Sequence, residues 1–253
     1  MLENYIASQK EKKDILLMTH IVMGYPTIED SERLVDEMVA SGVDLIELQI
    51  PFSEPIADGP VILRANHYAL ARGVTVQACL ELTERLKRKH LLPILYMTYV
   101  NIVHQHGLDR FISHMSEIGV SGAIIPDLPP EEGADYIQKM KEKERSPIFI
   151  FGPTTTDERM KIIANHASGF IYCVARKGVT GANTQFSDDL DHYLSRCRAS
   201  TNLPLALGFG VKDRSDIEFL TGKVDIAVVG TQTIKVMEQN GIDAVGPYLR
   251  ALR

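Results

Sequence analysis

Short runs of Val, Ile and Leu recur along the chain, separated by longer stretches in which apolar residues return every third or fourth position. Eight runs are apolar at successive positions: Ile15 to Val22, Asp44 to Ile50, Pro93 to Met97, Gly122 to Pro126, Pro147 to Phe151, Gly169 to Val174, Leu203 to Leu207 and Asp225 to Val229. Such runs suit strands buried on both faces, as in a parallel sheet covered by helices. The segments between them carry helix signals. Thr27-Ile28-Glu29-Asp30 resembles a capping box, Ser187-Asp188-Asp189 offers a cap followed by first-turn acids, and Cys79, Leu82 and Leu86 fall at helical spacing. Eight strands alternating with seven or eight helices over 253 residues predict an α/β fold, a (β/α)8 TIM barrel spanning residues 1–253 as one domain. Roughly the first 12 residues form an extra N-terminal helix in this reading. A doubly wound open sheet is the second arrangement the alternation allows.

Composition narrows the class. With 45% hydrophobic and 24% charged residues the chain is of soluble globular type, against disorder, collagen or coiled coil. Lys and Arg number 27 against 33 Asp and Glu, a formal net charge of -6 that offers no basic field to nucleic acid. The three cysteines, Cys79, Cys173 and Cys197, form no CxxC and are odd in number, which points to a reducing compartment and a cytoplasmic protein. The opening stretch, MLENYIASQKEKKD, is polar, and the best apolar run, Ile15 to Met23, is broken by Thr19 and His20, so neither a signal peptide nor a membrane span is expected.

In a barrel of this kind the active site is built at the carboxyl ends of the strands. Strand two is the most informative. Alternation along Asp44 to Ile50 puts Ile46, Leu48 and Ile50 on one face, toward the helices, and Leu45, Glu47 and Gln49 on the other, toward the lumen. An ionised carboxylate buried there without a partner costs several kcal/mol, a burden tolerated mainly where a proton must move. A structural ion pair with an unseen Lys or Arg is the other reading of Glu47. The next loop, Pro51 to Pro60, holds three prolines that stiffen it and carries Asp58, which on spacing alone reads better as a turn aspartate before Gly59 than as a catalytic group.

Toward the other end, Gly208-Phe209-Gly210 follows strand seven and Gly230-Thr231 follows strand eight, each where a helix is expected to begin. Paired glycine loops at these two positions suit a phosphate cradle. The loop Arg176 to Asn183 has two glycines and a hydroxyl, fitting a closing lid or a passive turn. His104-x-His106 is the one close histidine pair and no carboxylate or cysteine completes it at ligand spacing, so no metal site is expected, and the remaining histidines read as surface or satisfied packing residues. Lys177 reads as a solvated loop lysine; a Schiff-base aldolase is the alternative that would use it.

Several motifs in one order carry a resemblance over nearly all of the chain. They are Leu45 to Pro60, Met97-Thr98-Tyr99-Val100-Asn101, Ile124 to Glu132, Pro153 to Arg159, His166 to Tyr172, Gly178-Val179-Thr180-Gly181 and Gly208-Phe209-Gly210. In these the chain resembles the tryptophan synthase alpha-chain family. The resemblance implies a barrel lyase that cleaves indole-3-glycerol phosphate to indole and glyceraldehyde 3-phosphate by a retro-aldol reaction, with no metal or cofactor in this chain. It further implies an α2β2 complex whose beta chain holds pyridoxal phosphate and receives indole through a tunnel. Carried over, it makes Glu47 the acid/base that protonates indole C3 and handles the glyceryl hydroxyl proton, and Asp58 the carboxylate at the indole N–H. Thr180 resembles the residue that orients Asp58, and Tyr172 a tyrosine lining the substrate site. Gly181, Gly210, Gly230 and Thr231 match phosphate-binding positions, Phe209 lies within the matching strand-seven motif, and Tyr99 and Asn101 match positions near substrate or partner. The chain departs from the family pattern at Gln49, usually glycine, and at Glu54, usually aspartate. Gln49 is expected to hydrogen-bond Glu47 or to fill substrate space. A second reading follows: an alpha-like subunit, weakened in its own chemistry, that mainly binds and activates a beta chain. The first reading requires Glu47 to face the lumen, free of a cationic side chain.

Overall fold

The inward and outward alternation foreseen for strand two governs the whole sheet. The computed structural model describes residues 2–174, 188–208 and 210–253. Its strands are β1 (Leu16–Val22), β2 (Leu45–Gln49), β3 (Ile94–Met97), β4 (Gly122–Ile124), β5 (Ser146–Phe151), β6 (Ile171–Val174), β7 (Leu205–Gly208) and β8 (Ile226–Val229). All are parallel and pair in sequence order, and β1 pairs with β8 from Leu16↔Ile226 to Thr19↔Val229, so the sheet is a closed barrel and the open-sheet alternative is excluded. The (β/α)8 expectation holds for all eight runs.

Buried apolar residues divide into two clusters by strand parity. Leu16, Met18, Leu45, Leu95, Ile124, Ile148, Tyr172, Ala206, Ile226 and Val228 fill the lumen. Leu17, Ile21, Ile46, Leu48, Ile50, Ile94, Tyr96, Phe149 and Phe151 pack outward against the helices. Each strand therefore buries both faces, which is why the runs carry no polar alternation. The expected extra helix is Leu2–Lys10, and its Leu2 and Ile6 join the lumen cluster.

Helices outnumber the one-per-strand expectation. Two follow β2, Pro60–Ala71 and Val76–Lys89, and two follow β3, Val100–His106 and Leu108–Ile118. Each pair is split by a glycine in the left-handed region, Gly73 (φ 80°) or Gly107 (φ 93°), a break that residues with a Cβ resist. Thr27 caps the helix Ile28–Ala40, its Oγ1 accepting from Asp30 N at 3.0 Å, and Cys79, Leu82 and Leu86 lie on the buried face of Val76–Lys89. The helix Asp188–Ser200 begins where its acids were expected; Ser187 lies outside the described residues. Among the described residues no helix is long and apolar enough to cross a membrane.

The amino-terminal end of the barrel is tied by Asp44, which is buried. Its Oδ2 accepts from Leu17 N at 2.9 Å and from Arg253 at 2.7 Å, and its Oδ1 pairs with Lys13. The polar residues at the opposite end have a different character.

Candidate active site

Glu47 and Gln49 point into the lumen with Leu45, as strand alternation requires, and all three are buried. Glu47 is not solitary. The register of β1 and β2 sets His20 opposite Glu47, and His20 Nδ1 lies 2.8 Å from Glu47 Oε1. Both are almost fully enclosed, at 4% and 2% exposure. His20 is thus a buried, hydrogen-bonded histidine, within the reading given to the remaining histidines, while one expectation is corrected: Glu47 is not free of a side chain that can carry positive charge. The partner is not the Lys or Arg of the ion-pair reading. Those cations hold their proton through the physiological range, whereas an imidazole exchanges it there. Glu47 Oε2 and His20 Nε2 have no hydrogen-bond partner among the described residues. One signal of His20 was present in the sequence: it shares the inward parity of Leu16 and Met18 and lies near the carboxyl end of its strand.

Asp58 is brought back over the same end of the barrel by a braced loop. Phe52 N donates to Asn66 Oδ1 at 2.9 Å, and Asp58 N donates to Pro55 O at 3.0 Å. The Asp58 carboxylate accepts from Gln49 Nε2 at 2.5 Å and from Tyr99 OH at 3.3 Å. Tyr99 in turn accepts from Ala57 N at 3.2 Å and stacks on Phe52 with ring centroids 4.9 Å apart. Asp58 is thus more than a turn residue, and Gln49 bonds Asp58 where Glu47 was expected. Burial pushes the Asp58 carboxyl up to about 6, against the opposing pull of His20's charge and the hydrogen bonds from Gln49 and Tyr99, while Glu47's negative charge adds to the rise.

Tyr172 stands inward on β6. Burial, then the charges of Glu47 and Asp58, push its phenol well above its ordinary value, so it stays a neutral donor beside both acids. Gly208 on β7 is shaped to it: a Cβ there would lie 2.3 Å from Tyr172 Cε1 and 2.4 Å from its hydroxyl oxygen. Gly230 serves as the N-cap of the helix Thr231–Asn240, as anticipated. Its position is tight as well, a Cβ meeting His20 Cβ at 3.3 Å. Gly210 adopts φ 112°. No helix begins there, contrary to expectation; the next is Arg214–Leu220, because Asp213 is its N-cap and exchanges hydrogen bonds with Asp216. Thr180, Gly181 and Phe209, with Lys177 and the rest of the candidate lid, lie outside the described residues. Asn101 and Glu54 are exposed, unlike the two buried acids. Among the described residues no group of three or more His, Cys, Asp or Glu is placed to hold a metal ion.

A closed barrel that gathers two carboxylates, an imidazole and a phenol at the carboxyl ends of its strands has the build of an acid–base enzyme. The chain matches the sequence profile of the tryptophan synthase alpha chain over residues 6–246. A tryptophan synthase alpha chain of Syntrophotalea carbinolica is 56% identical over 253 residues, covering 100% of both chains, and one of Desulforapulum autotrophicum is 54% identical over 252 residues with the same coverage. Among solved structures, a chain of Mycobacterium tuberculosis tryptophan synthase matches with a TM-score of 0.93 at 29% identity, covering 99% of this chain and 96% of that one. The chain belongs to the tryptophan synthase alpha-chain family. It is an alpha subunit of L-tryptophan biosynthesis and a carbon–carbon lyase acting on indole-3-glycerol phosphate. Membership implies a beta-chain partner.

Proposed function

We propose that Glu47 and Asp58 divide the cleavage of indole-3-glycerol phosphate between them, within one barrel domain. Glu47 delivers a proton to indole C3, which leaves the ring cationic and the N–H strongly polarised. Asp58, as carboxylate, stabilises that N–H. Glu47, now a carboxylate, takes the proton of the glyceryl hydroxyl as the aldehyde forms, and the electrons of the breaking carbon–carbon bond restore the neutral indole. One side chain cannot face both C3 and the N–H, so two acids are needed. Each contributes on the order of 10²- to 10⁴-fold. Tyr172 and Tyr99 line the site and hold the acids' surroundings. The Gly210, Gly230 and Thr231 backbone, with Gly181, grips the phosphate, where the start of the helix Thr231–Asn240 favours an anion. Thr180 orients Asp58, and Phe209 contacts the substrate.

The observation that supports this reading most is the burial of both acids at one end of the barrel, near enough for Glu47's charge to act on Asp58. The chain itself needs no cofactor in this reading. It works in the cytoplasm within an α2β2 assembly whose beta chain carries pyridoxal phosphate. The weakened-subunit alternative is not favoured: Gln49 is engaged with Asp58 and leaves Glu47 Oε2 unbonded. The test is indole release from indole-3-glycerol phosphate by the purified chain, with and without a beta chain whose own reaction is blocked. Glu47→Gln and Asp58→Asn are expected to lose on the order of 10²-fold or more while remaining folded. Normal turnover by either variant rejects the role given to that residue.

A further inference from the structure

The proton chemistry assigned to Glu47 leaves His20 unexplained. A histidine turned into an apolar lumen and desolvated on every side is an expensive way to fill space that Leu or Met would fill. The ring is nevertheless enclosed, and it spends one nitrogen on the carboxyl assigned to the reaction, 2.8 Å away. Its position is fixed twice, by the β1–β2 register that sets it opposite Glu47 and by Gly230, whose missing side chain leaves room for the His20 Cβ. The second ring nitrogen and the second carboxyl oxygen are both buried without a partner among the described residues, so each has one polar atom left to offer.

We infer that His20 is a positioning residue for the cleavage: it fixes the orientation of the Glu47 carboxyl and keeps the exchangeable proton within a two-residue couple. The inference rests on the role proposed for Glu47. In the resting couple one proton is shared between imidazole and carboxyl. The couple delivers that proton to indole C3 through Glu47, and it is restored when the glyceryl hydroxyl gives up its own as the aldehyde forms. The couple ends each turnover as it began, and no other reactant is required.

The groups that face His20 bear this out. β2 contributes Glu47 and Gln49, the following loop contributes Asp58, and the end of β8 contributes Gly230, which carries no charge. Tyr172, from β6, faces the two carboxylates. Burial works against a charged ring, but the charge and hydrogen bond of Glu47, with the charge of Asp58 and the polar side chain of Gln49, outweigh it and leave the imidazole more basic than usual. Lysine or arginine at this position would hold its proton too firmly to return it.

The experiment compares His20→Asn, which can keep a donor near the place of Nδ1 but holds no exchangeable ring proton, with His20→Phe, which keeps the ring's bulk and loses the bond. Indole release is measured by each across about pH 5 to 9, with Glu47→Gln as reference. His20→Phe is expected to lower kcat about 100-fold with KM within about threefold, and His20→Asn to recover about tenfold of that loss with an altered pH profile. In parallel, the His20 ring is titrated by NMR in the wild type and in Glu47→Gln. Its titration is expected to move to lower pH once the carboxylate is gone, a readout that needs neither substrate nor a folded His20 variant. An unmoved titration overturns the inference. So does a His20→Phe enzyme with wild-type kcat and pH profile and only a lowered Tm, which would make His20 a packing residue. If Glu47→Gln itself turns over normally, the role of Glu47 fails and the inference with it; if Glu47→Gln is dead and His20→Phe is not, the inference alone fails.

Discussion

Gln49 donates its side-chain amide to Asp58 Oδ2 at 2.5 Å, joining the last residue of β2 to the tip of the loop that leaves it. The bond favours the ionised carboxyl and so holds down a pKa that burial raises. Its removal has a definite sign.

Gln49→Met keeps the chain length and deletes the donor. Asp58 should then ionise only at higher pH, by about half to one unit for a bond of about 1 kcal/mol. In the wild type, indole release should fall as pH drops below about 6, and in Gln49→Met that fall should begin at higher pH. A pH profile of kcat/KM measured on both proteins checks it; superimposable acidic limbs contradict it.

Asp58 should burden the fold near neutrality. Its carboxyl titrates at about 6 in the folded chain, and at about 3.9 when unfolded. Below both values it is neutral in either state and has no effect. Between them the folded state binds the extra proton, so stability falls as pH rises and the full penalty is reached above about 6. Two units set an upper bound of about 3 kcal/mol, reduced by the bonds Asn makes less well. Asp58→Asn should therefore be more stable than wild type at pH 8 by about 1 to 2 kcal/mol, a gap that closes by about pH 4. Urea melts at the two pH values provide the comparison, and a less stable variant at pH 8 refutes it.

Gly208→Ala forces Tyr172 to move, since the new Cβ falls within 2.4 Å of its ring and hydroxyl. A stability loss of about 1 to 3 kcal/mol is expected, with a raised KM because the displaced phenol enters the substrate's space. Truncating Tyr172 to Ala in the same chain should make the glycine substitution nearly neutral. A double-mutant cycle by thermal melting measures this, and additive losses would deny the contact.

Asp44 should matter to stability and not to turnover. Asp44→Asn leaves Lys13 and Arg253 without their carboxylate, but both side chains are 33% exposed and can rehydrate. The cost should fall at the low end for a broken pair, about 2 to 3 kcal/mol. Per folded molecule, kcat for indole release should be unchanged, as measured below the lowered Tm.

The barrel was legible because every strand buries both faces, and an unbroken apolar run survives any error in register. The inward aim of Glu47 was legible for the same local reason. The identity of its neighbour was not. That His20 meets Glu47 depends on the stagger between β1 and β2, which no local pattern encodes. Gln49 likewise finds Asp58 rather than Glu47 only because the bracing of Phe52 by Asn66 folds the loop back over the strand. The missing helix after Gly210 has a plainer cause: Asp213 and Asp216 form a stronger start three residues on.

The seam between β1 and β8 joins residues about two hundred positions apart. Until β8 emerges from the ribosome, β1 has one edge unmatched, and a lone parallel edge invites pairing with the wrong chain. His20 waits on that first strand for Gly230 at the end of the last. The enclosure of His20 beside Glu47 is accordingly among the last features to be completed in each newly made molecule.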